Sequence, residues 1–456
     1  MQPNIVYIHS HDTGRYTSPY GFAVDTPHIQ RFAEQGVVFR QCFTVNPTCS
    51  PSRAALATGS YPHQNGMIGL THRGARLRDP SQHVACTLRD AGYHTAIAGF
   101  QHVAPRDAES TAAIGYTQAC QLERGNNGDA ATVENALAVI AAAGATTDQP
   151  FFLDVGFQKT HRAGKPGAQG QWHNGDESPL GDPRYVLPPL PLPDTPTTRR
   201  DFADFAVCVN RLDAEIGRVI AAIDEAGLAE STLVIITTDH GIAFPHMKCN
   251  LTDHGMGVQL IMRGPGSFDG GRVLDAMVTQ LDLFPTLCEL ADTPKPEWLQ
   301  GSSLLPLVRG ETHRLHDAVY GQVNYHASYE PMRCIRTDRY RYIRRWALLP
   351  HPVLANFDHS PSKLELMDAY DWNSRPQAEE TLYDLAFDPH EAANLADSPA
   401  HAPILADLRA RLTAWMEATA DPLLTGAIHP SPPYTTTTRH GDQPGAAQSE
   451  LTHAPE

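Results

Sequence analysis

The sequence predicts an α/β protein: a mostly parallel sheet sandwiched by helices, followed by a smaller C-terminal α+β subdomain containing an antiparallel sheet. Three observations carry this. Short β-branched runs alternate with segments of helical period through residues 1–310. From about residue 311 the strand-like runs follow one another across turns. After Gly426 the apolar pattern gives way to Pro, Thr, Gly and His. The expected organisation is residues 1–310, residues 311–426, and an extended or disordered tail over 427–456.

The elements follow in order. Asn4 to Ile8 reads as the first strand. Pro27 to Gly36 reads as a helix, with Thr26 placed to cap it and Gly36 to end it. Thr87 to Ala91 is helical and His94 to Ala98 extended. Ala130 to Ala143 is an alanine-rich helix, followed by the strand Phe151 to Val155. Leu212, Ile216, Val219, Ile220 and Ile223 share one helical face, closed by Gly227. Leu233 to Thr237 is a β-branched strand. Pro and Gly accumulate between residues 162 and 200, and Leu187 to Pro196 alone holds five prolines. That stretch is expected to be a long surface loop over the mouth of a site. Further on, Ala318 to Val323, Met332 to Arg336 and Arg339 to Ile343 read as strands, and Ala402 to Ala418 as a helix.

Composition bounds the class. A chain of 456 residues with a 41% hydrophobic fraction can bury a large core. No apolar run approaches the roughly 18 residues of a membrane span. Met1-Gln2-Pro3-Asn4 enters the first strand without a basic or apolar leader, so a cytoplasmic location is expected. The eight cysteines include no Cys-x-x-Cys pair and read as reduced thiols, neither a disulfide framework nor a zinc ribbon. A net charge of −16 argues against a nucleic-acid surface. An anionic substrate would need a local cationic pocket.

The chemistry gathers in short motifs. Cys49-Ser50-Pro51-Ser52-Arg53 puts a thiol just ahead of a helix start, with Pro51 and Ser52 as first-turn signals. The helix N-terminus favours an anion there, and Arg53 adds a fixed cation. The first strand runs into His11-Asp12, and the strand Leu233 to Thr237 into Asp239-His240. Ligands in open α/β sheets bind beyond the carboxyl ends of strands, so these two pairs suit one metal ion between them. An oxygen-only site would suit calcium or magnesium, whereas two imidazoles and two carboxylates suit manganese, iron or zinc.

The run Cys49 to Arg53, followed by Thr58-Gly59, resembles the signature of the formylglycine-dependent type I sulfatases of the alkaline phosphatase superfamily. The resemblance covers roughly residues 3 to 425. It implies that Cys49 is oxidised to formylglycine by a maturation enzyme, and that the hydrated aldehyde is the nucleophile. It implies a metal site of His11, Asp12, residue 49, Asp239 and His240, holding calcium in the family. His11 departs from the family's aspartate there, which favours manganese, iron or zinc. His9 is the less expected ligand, because alternation along the strand and the motif register select residue 11.

By motif match, His102, His161 and Lys248 complete the pocket with Arg53. His102 lies in Gly99-Phe100-Gln101-His102, where Phe100 replaces the family's lysine. Losing that cation would cost about 2–4 kcal/mol of transition-state stabilisation unless Lys159 or Arg15 substitutes. Thr160-His161 stands where the family has Pro-His. Either His161 or His102 would protonate the leaving atom.

Tyr329-Glu330-Pro331-Met332-Arg333, Leu382-Tyr383-Asp384 and Asp421-Pro422 extend the likeness to the sulfamidases, or heparan N-sulfatases. Arg333 reads either as a substrate-anion contact or as a structural cation. The expected substrate is a small sulfated molecule, such as a sugar, cleaved at O–S or N–S. Two alternatives are a phosphonate monoester or phosphodiester hydrolase of the same superfamily, and a non-catalytic sulfatase-like binding protein. The oligomeric state is open, a homo-oligomer included.

Overall fold

The computed structural model describes residues 2–120, 128–145, 149–162, 172, 181–445 and 448–451. A nine-stranded sheet forms the centre of the larger part. Its strands are β1 (Asn4–Ser10), β2 (Val37–Phe43), β3 (His94–Gly99), β4 (Gln118–Cys120), β5 (Phe151–Gly156), β6 (Thr232–Thr238), β7 (Gly257–Val258), β8 (Leu260–Arg263) and β9 (Arg272–Thr279). The order is β4-β3-β5-β1-β6-β8-β2-β7, with β9 beside β2. From β4 to β6 every pairing is parallel. β8 then runs antiparallel to both β6 and β2.

Alternation along the strands builds the layers. Ile5, Leu233 and Ile235 face one helical layer, with the helices Val84–Asp90 and Leu283–Leu290. Val6, Ile8, Val234 and Ile236 face the other, with the helices Gly128–Ala145 and Pro196–Glu225. Residues one apart thus reach opposite cores, as a period of two requires. Among the described residues, no helix is long and apolar enough to cross a membrane.

A four-stranded antiparallel sheet follows, ordered β10 (Val319–Tyr325), β11 (Tyr329–Arg336), β12 (Tyr340–Arg345) and β13 (Glu380–Asp384). The helix Ala402–Ala418 lays Leu405, Leu408, Leu412 and Trp415 against Ile335, Tyr342 and Leu382 of that sheet.

One expectation needs correction. The proline-rich stretch was expected to stay irregular to residue 200, but a 30-residue helix starts at Pro196. Proline at the first helical position costs no hydrogen bond, and the Thr195 side chain accepts from the Thr198 N–H at 3.2 Å. Residues 163–171 and 173–180 of that stretch lie outside the described residues. Within residues 427–456, expected to be an extended or disordered tail, the described residues include a strand pair. β14 (Tyr434–Thr437) pairs with β15 (Gln448–Leu451), and Tyr434 is fully buried. Gly69 and Gly74 admit it: a Cβ at Gly69 would lie 2.4 Å from the Tyr434 hydroxyl, and one at Gly74 2.2 Å from Pro433 O.

Candidate functional site

Register sets the site. Ile8 pairs with Val155 and Ile236, and Gly99 with Gly156, so β1, β3, β5 and β6 end together. The segments leaving these ends carry His11-Asp12, His102, His161 and Asp239-His240. The helix Cys49–Thr58 approaches with Cys49 as its first residue, after Thr48 in extended conformation. Asp12 and His102 both take left-handed backbone angles, φ 46° and 59°. Such angles are uncommon outside glycine and cluster where a chain must aim a side chain.

The donor atoms converge. Those of His11, Asp12, Cys49 and His161 lie within 4.8 Å of one another, as do those of Asp12, Cys49, Asp239 and His240. His11 Nδ1 is 3.1 Å from Asp239 Oδ2 and 3.7 Å from Asp12 Oδ1. His240 donates from Nδ1 to the carbonyl of Gly241 at 2.9 Å. Its Nε2 therefore turns a lone pair toward Cys49 Sγ, Asp12 Oδ1 and Asp239 Oδ2, at 3.4, 3.4 and 3.6 Å. His161 is fixed the same way, donating from Nδ1 to the Arg162 carbonyl at 2.6 Å. His11 Nδ1 and Asp12 Oδ1 are buried without a hydrogen-bond partner. Orphaned acceptors facing one another across a buried gap, with two imidazoles and two carboxylates, fit a divalent cation.

The cations sit around this group. Lys248 Nζ lies 2.8 Å from Asp12 Oδ2 and 2.9 Å from Asp358 Oδ2. Arg53 donates to Asp239 Oδ2 at 3.0 Å and to the carbonyl of Ser10 at 2.8 Å. Burial alone would raise the Asp12 carboxyl, but Lys248, His161 and His240 hold it well below the ordinary range. Burial would likewise lower Lys248, yet Asp12 and Asp358 hold it well above its usual value. Burial pushes the Cys49 thiol far up, so as a plain cysteine it would stay protonated. Burial and then Lys248 lower His161 to about 3, so its ring is neutral near pH 7.

His102 lies farther out. Its ring centroid is 6.1 Å from that of His11, and its Nε2 is 3.0 Å from His72 Nδ1. Phe100 stands between, 4.7 Å from the His11 ring and 4.9 Å from the His102 ring. Neither expected substitute for the family lysine fills that place. Lys159 pairs with Glu215 at 2.7 Å. Arg15 binds the Cys42 carbonyl at 3.0 Å and stacks on Phe43. Two guanidinium groups lie over the Phe100 ring, Arg106 at 4.7 Å and Arg53 at 5.7 Å. Arg333 is a structural cation: it is fully buried and paired with Asp421 at 2.5 Å. His9 is absent from the metal-ligand groups and touches Arg53 instead. Asp358 escaped the sequence reading, because it joins Lys248 across 110 residues with no local motif.

The fold and this site define a sulfuryl-ester hydrolase: the chain belongs to the sulfatase family, whose model matches residues 3–293. A second family model, described as N-sulphoglucosamine sulphohydrolase, C-terminal, matches residues 246–377. Accordingly, the chain is 33% identical to the N-sulphoglucosamine sulphohydrolase of Homo sapiens, over 90% of this chain and 88% of that one. It is 26% identical to a Delta 4,5-hexuronate-2-O-sulfatase of Bacteroides thetaiotaomicron, over 92% and 90%. A solved 2-O GAG sulfatase superposes with a TM-score of 0.70 at 22% identity, over 95% of this chain and 96% of that one.

Proposed function

We propose that this sulfatase cleaves the N–S bond of an N-sulfated amino sugar, through a formylglycine made from Cys49 by a maturation enzyme. The observation that carries the reading is the convergence of residue 49 with two carboxylates, three imidazoles, Arg53 and Lys248 in one buried pocket. The sulfamate preference is supported by the second family model and by the relative at 33% identity.

His11, Asp12, Asp239 and His240 would hold a divalent cation, which when bound supplies charge to polarise the sulfuryl oxygens. The nitrogen donors favour manganese, iron or zinc over calcium. The hydrated aldehyde at position 49 supplies two geminal hydroxyls, one to take the sulfuryl group and one to expel it. Arg53 and Lys248, both buried, flank the anion with fixed positive charge, which counts most away from bulk water. His161 has a ring nitrogen within 4.8 Å of the residue-49 donor atom, and Nε2 is its acceptor position because its Nδ1–H is held by the Arg162 carbonyl. The incoming anion raises the proton affinity of this ring, so that Nε2 takes up a proton as substrate binds and then delivers it to the leaving nitrogen.

The test is parallel turnover of glucosamine N-sulfate, glucosamine 6-O-sulfate, nitrophenyl sulfate and phenylphosphonate by matured, metal-loaded protein. Preference for the sulfamate is expected. Preference for phenylphosphonate would transfer the chain to phosphonate hydrolysis, and no turnover at all would favour a binding protein. Adding back cations to chelated protein should raise Tm more with Mn2+ or Zn2+ than with Ca2+ at equal concentration.

A further inference from the structure

A line of buried polar side chains leads away from the site behind Arg53. Arg53 Nη1 donates to His9 Nδ1. His9 Nε2 lies 2.8 Å from Asp154 Oδ1, and the Tyr116 hydroxyl donates to Asp154 Oδ2. Arg53, His9, Asp154 and Tyr116 are 5%, 2%, 5% and 4% exposed. Strand register assembles the pair: Tyr7 is opposite Asp154 and His9 opposite Gly156, so His9 and Asp154 share one face. Gly156 leaves room for the ring, since a Cβ there would lie 2.7 Å from His9 Cε1.

The direction of each hydrogen bond follows from chemistry. A guanidinium only donates, so His9 Nδ1 must accept. A carboxylate only accepts, so His9 Nε2 carries the proton toward Asp154. The ring is neutral, because Nδ1 accepts from Arg53 and so carries no proton of its own. One tautomer alone satisfies both neighbours.

We infer that His9 and Asp154 are positioning residues: Asp154 fixes the tautomer of His9, and His9 fixes the Arg53 guanidinium against Asp239 and the reacting anion. The inference rests on the anion-binding role proposed for Arg53. A packing role would need only shape, whereas this role needs an acceptor at Nδ1 and, for a histidine, a carboxylate behind it.

The test compares wild type, His9→Phe, His9→Asn, Asp154→Asn and the His9→Asn/Asp154→Asn double variant. The readouts are kcat, KM and the rise in Tm caused by inorganic sulfate. His9→Phe should lower kcat about 10–100-fold and remove the sulfate-induced rise. His9→Asn keeps an oxygen acceptor near the place of Nδ1 and should hold kcat within about threefold of wild type. Asp154→Asn should lower kcat in the wild-type background and have no further effect beside His9→Asn, since no tautomer is left to fix. If His9→Phe fails to fold, the His9→Asn and Asp154→Asn set still decides. A folded His9→Phe with wild-type kcat and sulfate response would overturn the inference, as would an Asp154→Asn loss of equal size in both backgrounds. If wild type turns over no sulfate or sulfamate, the functional reading fails, and the sulfate-induced Tm series decides the positioning role by itself.

Discussion

Replacing Asp421 with alanine should destabilise the protein and leave its chemistry alone. Arg333 lies on β11 with no exposed surface. Its Nε and Nη2 donate to the two oxygens of Asp421 at 2.5 and 3.0 Å. Its Nη1 donates to the carbonyls of Val323 and Met332 at 3.0 and 2.9 Å. Each of its three nitrogens therefore has a protein partner. Burial would raise the Asp421 carboxyl, but hydrogen bonds and charge from Arg333 hold it below the usual range. Asp421→Ala strands a buried guanidinium, and breaking such a pair costs about 3–5 kcal/mol. With a urea slope of about 2–3 kcal/mol per molar, the midpoint should fall by about 1–2 M. Arg333→Met with Asp421→Leu removes both charges and should recover most of that loss. The assay is urea unfolding of each variant beside its kcat/KM. The reasoning would be refuted by an Arg333→Met variant that keeps its urea midpoint and loses kcat/KM about tenfold or more, which would make Arg333 a substrate contact.

Lys248→Met should lower kcat/KM by about 10²–10³-fold, the cost of removing one preorganised charge from the site, as read by steady-state kinetics on metal-loaded protein. Tyr434→Ala should cost about 3 kcal/mol, because a fully buried ring is lost, and limited proteolysis should then cut first in the C-terminal hairpin. His316 lies 2.8 Å from Asp282; burial lowers its proton affinity, but Asp282 raises it further, so its folded pKa stands above the ordinary value. Stability from this pair is present below the unfolded pKa of about 6.5 and is lost as pH rises through the folded value. His316→Gln should therefore lower Tm at pH 6 and converge on wild type in mildly alkaline buffer.

Local pattern made part of this molecule legible. The strands Asn4–Ser10, Phe151–Gly156 and Thr232–Thr238 stand out because consecutive apolar residues serve two cores at once. His11-Asp12, Asp239-His240 and Cys49 to Arg53 are contiguous motifs at element ends, where topology gathers ligands whatever lies between them. What pairs across long separations left no mark. Asp358 meets Lys248 over 110 residues and Asp154 meets His9 over 145, each lying outside any shared motif. The antiparallel insertion of β8 between β6 and β2 was equally hidden, because a four-residue apolar run has no direction in sequence. The slot that Gly69 and Gly74 open for Tyr434 was hidden too, because polar Thr and Pro dominate the composition around that residue.

The most direct test of the central claim is the mass of the proteolytic peptide carrying residue 49, from protein produced with a maturation system and active on glucosamine N-sulfate. The account predicts a peptide in which an aldehyde replaces the thiol, with turnover rising in proportion to the fraction converted. Full turnover by protein whose Cys49 is entirely unmodified would contradict it.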